Sequence, residues 1–440
     1  MTYSLLDRAP APLHPRRVAA DVAGGTVRRV AMLSLHTSPL APPGGPVSGG
    51  MNVYVREVAR ELGRAGIAID VFTRREHERT PEVQRIAPGV RLIQIEAGPA
   101  VPLLPAALSE HVGAFSGAVA AFAERDGRCY DVVHAHYWLS ALAAEHLAER
   151  WRVPHIAMFH TLGEVKRRAL AAQHEPSVRL VSERRLVHAA DRIVVATEHE
   201  VGLLRRIYGV APGRTRVVPL GVDLGRFRRR EAQRARAELG LPQTSRLVLA
   251  VCRIQPLKGL DILVRAVAQL RRPGGVSGVE LLIAGGVEQA SEEVGRLQAL
   301  AAELGVGGAV RFMGSVPHER LPLYYASADV VAVPSLYESF GLAAVEAMAT
   351  GVPVVASRVG GLQTTIEDGR TGYLVPWHCP EPFAERIELL LRNEPLRRSM
   401  GEAASRSMRR YAWGAVAREL AALYAELMRE HARPAAAGGC

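Results

Sequence analysis

Residues able to do chemistry gather in a few short stretches of this chain. CRIQPLKGLDIL (252–263) carries Arg253 and Lys258, two cations five residues apart, between a strand-like run and a helix-like one. Such a pair suits a diphosphate, each close charge pair contributing on the order of 4 kcal/mol before desolvation. PSLYESFGLAAVEAMATGVPVVAS (334–357) puts Glu338 in a loop after a strand and Glu346 about one turn inside the next helix. Between them, Ser339, Phe340, Gly341 and Leu342 crowd the helix start with backbone N–H groups. Carboxylates accept hydrogen bonds from hydroxyls, and an amide-rich helix start accepts phosphate. The stretch therefore fits a nucleotide sugar, with sugar hydroxyls, diphosphate and ribose met in turn.

Three further motifs add to this. SGGMNVYVREVAREL (48–62) opens a helix after a Pro/Gly-rich loop, and Gly49 and Gly50 remove side chains where the backbone must come close to a partner. FHTLGEVKRRAL (159–170) ends a strand at His160 and Thr161, with Lys166 and, further on, Arg179 adding positive charge. HAHYWLS (134–140) sets His134 and His136 on one strand face, but without a third ligand they make a poor metal site. No DxD pair, GxGxxG or GxxxxGK[ST] occurs. The usual carboxylate clamp for a diphosphate-bound metal is thus missing, and cations with backbone amides are expected to do that work. No metal and no cofactor is expected; the nucleotide sugar is a substrate.

These motifs need elements to place them. Strand-like runs at 27–35, 67–73, 90–96, 130–136, 155–161, 192–197 and 215–221 alternate with amphipathic stretches, among them Leu180, Leu186 and Ala190 within 176–190. The pattern restarts at 246–254, 279–286, 309–315, 329–335 and 353–357. Short β-branched runs between helices indicate parallel sheets covered on both faces. The fold expected is α/β: a loose leader (1–26), one doubly wound Rossmann-like domain (27–221), a second (222–411), and a last helix (412–431) packing back on the first. A cleft between the carboxyl ends of the strands would hold the ligand.

Composition sets limits. The chain has 440 residues, 48% apolar and 22% charged, and no run of about 18 apolar residues that would span a membrane. Four scattered cysteines without CxxC spacing fit a reducing cytoplasm. The net charge of +11 is compatible with weak contact at a membrane surface. Nucleic acid is not expected as a partner, because aromatics are only 5% and the densest basic run (Arg226, Arg228, Arg229, Arg230, Arg234, Arg236) reads as a solvated face. Only two of the 55 basic residues are lysine, Lys166 and Lys258, and both fall in the motifs above.

From about residue 28 to 410 the motifs GGMNVY, HAHYWLS, HTLGEVK, RIQPLKGLDIL and ESFGLAAVEAMATGVPVV resemble those of retaining glycosyltransferases of family four, which have the GT-B architecture. The likeness is greatest to members of the mycothiol pathway that act on inositol phosphate, then to sucrose-phosphate synthases. It implies that Arg253 and Lys258 hold the donor diphosphate, with Gly50 against the same phosphates. Glu338 would bind the donor sugar, Glu346 the ribose and the Val316 backbone the base, while His160 lies by the reacting centre. His36, Asn52, Tyr137, Thr161, Lys166 and Arg179 would face a small acceptor. Departures from the inositol-phosphate members fall on the acceptor side: Pro105 stands where they have a phosphate-binding lysine, and Val47 and Pro42 replace an acidic residue and a glutamine of the glycine loop. Left open are a sucrose or sucrose-phosphate synthase-like transfer, a lipid or polysaccharide acceptor, a nucleotide-sugar sensor without turnover, a homodimer, and a structural cation such as Mg near the 324–327 carbonyls.

Overall fold

A computed structural model of the protein describes residues 27–41, 49–169, 175–286 and 291–432. The leader 1–26, the loop positions Pro42 and Val47, and Cys440 lie outside the described residues. The first sheet holds β1 (Arg29–Leu33), β2 (Ala68–Arg74), β3 (Val83–Ala87), β4 (Val90–Ile95), β5 (Val132–His136), β6 (His155–Met158), β7 (Arg192–Val195) and β8 (Thr215–Val217). Their order is β3-β4-β2-β1-β5-β6-β7-β8. The second sheet holds β9 (Arg246–Val251), β10 (Val279–Ala284), β11 (Val310–Gly314), β12 (Val330–Val333), β13 (Val354–Ser357) and β14 (Gly372–Val375), ordered β11-β10-β9-β12-β13-β14. Central strands such as β5 and β12 are buried along their whole length, as strands covered on both faces must be. Strand order reverses between β1 and β5 and between β9 and β12, and loops leaving a sheet at such points splay apart into a crevice.

The sequence pattern misleads in four places. β3 runs antiparallel to β4 and is exposed or half-buried, so no apolar run marks it; backbone pairing alone makes it a strand. β8 stops at Val217, two residues before Pro219, which has no N–H to give a ladder. Helix Ser177–Ala189 is not simply amphipathic, because it buries Arg179 and Glu183 beside Leu186 and Val187. The arginine run is solvated at Arg228, Arg229, Arg230 and Arg234 but not at Arg236. Arg236 is buried and donates to the carbonyls of Ser327 (2.9 Å), Gln243 and Ser245 (3.0 Å each) and to Asp329 (2.9 Å). At 324–327, then, the Ser327 carbonyl accepts from a guanidinium and the Tyr324 carbonyl from the Ser327 hydroxyl.

The chain crosses between the sheets twice, side by side. Val222 N–H donates to Tyr411 O at 2.7 Å, and Val222 bridges to Ala412. A Cβ on Gly221 would lie 2.3 Å from the Trp413 ring, so only glycine fits there. Helix Trp413–Ala432 then packs along helix Gly50–Arg64, Trp413 meeting Tyr54 edge-on at 5.9 Å.

Candidate active site

A cleft of about 570 Å³ opens where the carboxyl ends of both sheets face each other. Every residue given a donor, acceptor or reacting-centre role from the sequence lines it: His36, Gly50, Asn52, Tyr137, His160, Thr161, Lys166 and Arg179 from the first lobe, and Arg253, Lys258, Val316, Glu338, Ser339, Phe340, Gly341, Leu342 and Glu346 from the second. Both lysines of the chain are among them.

On the second lobe, Lys258 Nζ lies 2.6 Å from Glu338 Oε2, each side chain largely shielded. Leu336 N–H donates to Leu257 O at 2.9 Å, lacing the cation-bearing loop to the acidic one. Gly259, at φ 61°, follows Lys258, and a Cβ there would strike Pro334 O at 2.2 Å. Glu338 is shaped from below by two glycines that sequence reasoning missed. A Cβ on Gly360 would sit 1.9 Å from Glu338 O, and Gly361 N–H donates to that same oxygen at 2.8 Å. Their only sequence signal is the GG in RVGGL, which follows a strand end. Gly341 turns the loop into helix Leu342–Ala349 at φ 92°, a left-handed conformation that favours glycine. Across the cleft, a Cβ on Gly50 would come within 2.8 Å of Leu342 Cδ1, so two helix starts, each with orphan N–H groups, approach one another.

Glu346 is buried in a chain of polar contacts. Arg226 donates to His318 Nδ1 (3.0 Å), which leaves the His318 proton on Nε2 to donate to Glu346 Oε1 (2.8 Å). The Tyr325 hydroxyl donates to the other oxygen at 2.9 Å, and burial together with Glu346 holds that phenol far above its usual range. His318 and Tyr325 went unread in the sequence; His318 stands two residues after Val316.

On the first lobe, Glu175 bridges the expected acceptor cations: 2.6 Å to Lys166 Nζ and 2.8 Å to Arg179 Nη1. Arg179 also donates to Glu183 (2.8 Å) and to the Thr161 carbonyl and hydroxyl (2.8 and 3.1 Å), and lies over the Tyr137 ring. Burial raises the Glu183 carboxyl above its usual range, against the pull of Arg179. Asn52, on the cleft wall, also has a structural part. Its amide donates to Thr37 Oγ1 and Ser38 O and accepts from Gly49 N–H, so it fastens the loop ends to the helix start. His36 stacks 4.3 Å from Tyr137, and burial followed by the charge of Arg179 pulls it down to about 3. His160 has φ 59°, unusual for a residue with a side chain, and Thr161 N–H closes a tight turn to Phe159 O. Such strain costs about 1–3 kcal/mol and gathers at functional sites. Burial, then His134 and His36, lowers His160 to about 3, so its ring is neutral near pH 7. Among the described residues no three His, Cys, Asp or Glu side chains are grouped to hold a metal ion.

Two doubly wound lobes with paired cations, glycine-backed helix starts and carboxylates in one shared cleft define a GT-B glycosyltransferase. Residues 231–407 match the family "Glycosyl transferases group 1" and residues 49–221 the "Glycosyl transferase 4-like domain". The chain is 45% identical over 429 residues to the D-inositol 3-phosphate glycosyltransferase of Acidothermus cellulolyticus, covering 96% of each chain. It is 42% identical to that of Corynebacterium jeikeium over 91% of this chain and 97% of the other. Among solved structures it is similar to the sucrose-phosphate synthase of Thermosynechococcus elongatus, with TM-score 0.84, 34% identity, and coverage of 92% of this chain and 100% of that one. The chain belongs to this glycosyltransferase family.

Proposed function

We propose that this enzyme moves a sugar from a UDP-sugar to a hydroxyl of a small phosphorylated acceptor of the inositol phosphate class, with retention of anomeric configuration. The observation that carries the acceptor class is the Lys166–Glu175–Arg179 cluster with Thr161, set in the same cleft as Arg253, Lys258 and Glu338. Relatives above 40% identity bear the name D-inositol 3-phosphate glycosyltransferase, which supports that class. One observation favours a different phosphorylated acceptor, such as the sugar phosphate taken by a sucrose-phosphate synthase. Pro105 lines the cleft where a lysine would be expected, which would leave Lys166 and Arg179, with Thr161, to meet the acceptor phosphate.

On donor binding, the Lys258–Glu338 pair would part, Lys258 joining Arg253 at the diphosphate and Glu338 taking sugar hydroxyls. The bond from the anomeric carbon to the diphosphate oxygen breaks and the acceptor oxygen bonds to that carbon on the same face. The hydroxyl proton passes to the departing diphosphate. Charge on the leaving group is met by the two cations and the helix starts, so the step calls on no metal ion and no protein nucleophile. Scattered cysteines, with free thiols at Cys129, Cys252 and Cys379, go with a cytoplasmic setting, and no described helix is long and apolar enough to cross a membrane.

The test is a matrix of UDP-, GDP- and ADP-sugars against inositol phosphate, fructose 6-phosphate and their unphosphorylated parents. Lys258→Ala should lower transfer to every acceptor by about 100-fold or more without unfolding. Lys166→Ala combined with Arg179→Lys should raise the KM of the phosphorylated acceptor about 10-fold or more, leaving the donor KM near its original value. Equal effects on both KM values would count against a phosphorylated acceptor.

A further inference from the structure

A file of aromatic side chains runs from the last helix to the cleft. The Tyr424 hydroxyl is 2.7 Å from His134 Nδ1, and the His134 and His136 rings lie 4.3 Å apart. His136 Nδ1 is in turn 3.1 Å from His160 Nε2. His136 is fully buried, and Tyr54 packs edge-on against both His136 (5.6 Å) and His160 (5.4 Å). Reading His134 and His136 as two histidines on one strand face that lack a third ligand does not explain why one of them contacts the cleft histidine.

Hydrogen-bond bookkeeping decides which nitrogen holds each proton. A neutral imidazole has one N–H and one bare nitrogen. Burial keeps His136 and His160 neutral. His136 Nε2 is buried and meets no protein partner among the described residues. A buried N–H without an acceptor is costlier than a bare ring nitrogen, so the His136 proton belongs on Nδ1, where it donates to His160 Nε2. His160 Nε2 must then be bare, and the His160 proton sits on Nδ1, the nitrogen turned away from His136.

We propose that His136 is a positioning residue for the transfer reaction: its Nδ1–H locks His160 in the Nδ1–H tautomer and so fixes a hydrogen-bond donor at the reacting centre. The His160 Nδ1 nitrogen, already protonated, has no lone pair left to accept another proton, and the bare Nε2 is taken up by His136. His160 therefore recognises a sugar hydroxyl oxygen and does not serve as the base for the acceptor. The proposal rests on the reading that His160 adjoins the reacting centre.

Nitrogen-15 NMR of the full chain, with His160 assigned through its Ala variant, reads the tautomer directly, and the Nδ1–H pattern is expected. His136→Asn keeps an N–H near the Nδ1 position and should retain kcat within about 3-fold. His136→Phe should release His160 towards the Nε2–H form and lower kcat by about 10- to 100-fold with little change in either KM. An Nε2–H pattern at His160 in the unaltered enzyme overturns the assignment, whether or not the Phe variant folds. Equal kcat for the Asn and Phe variants overturns the positioning role. If His160→Ala keeps full activity while the Nδ1–H pattern holds, the reading of His160 as part of the centre has failed and the tautomer assignment has not.

Discussion

Glu200 is a buried carboxyl on the cleft wall. Its Oε2 accepts from Ala196 N–H at 2.7 Å, and burial pushes its pKa up to about 7, with those backbone bonds pulling the other way. An acid whose folded pKa is raised binds its proton more readily folded than unfolded. Its contribution is therefore lost as pH rises from about 4.5 through about 7. Glu200→Gln keeps a carbonyl oxygen for Ala196. Its gain in unfolding free energy should be about 2 kcal/mol larger at pH 8 than at pH 5.5. Denaturant titrations at the two pH values check this, and an equal gain at both would refute it. His36, His134 and His160 act in the opposite sense. Each is lowered to about 3, chiefly by burial, so the unfolded chain takes up protons first as pH falls below about 6.5 and stability declines from there.

The loop that carries Glu338 depends on the element beneath it. Gly360 has φ 47° and its α-carbon lies under the Glu338 carbonyl, where even a methyl group would overlap the oxygen. Gly360→Ala must therefore shift that loop and should cut kcat/KM for the donor sugar about 10-fold or more. Gly305 is the control, because it has φ 68° with nothing within 4 Å of a built Cβ. Gly305→Ala meets the same backbone strain, about 1 kcal/mol of stability, and should leave kinetics unchanged. Similar kinetics for the two variants would show that strain, not the contact with Glu338, matters at Gly360.

For the whole molecule, the last helix is distant in sequence from the first lobe but joined to it in space. Arg192 pairs with Glu430 at 3.0 Å, and Tyr424 is fully buried against His134 of β5. Tyr424→Ala should cost about 3–5 kcal/mol through the cavity it leaves. Hydrogen exchange should quicken across β1, β5 and helix Gly50–Arg64 while β9 to β14 stay protected. Faster exchange confined to the second sheet would contradict that division of the molecule.

Periodicity and motif spacing alone were enough to read two parallel α/β halves and to bring Arg253, Lys258, Glu338 and Gly50 to strand ends and helix starts. Burial on both faces writes an apolar run into each central strand, and chemistry at a strand end follows within a few residues. Partnerships between distant segments left no such trace. Lys258 with Glu338, His318 with Glu346 and His134 with Tyr424 are 80, 28 and 290 residues apart. Neither Glu175 bridging Lys166 to Arg179 nor the burial of Arg236 could be read from a charged residue's type, since the same side chain serves equally in water. Only the order of strands and the double crossing of the chain decide which side chains meet, because contact is set by distance in space and periodicity reports only which face of its own element a residue occupies.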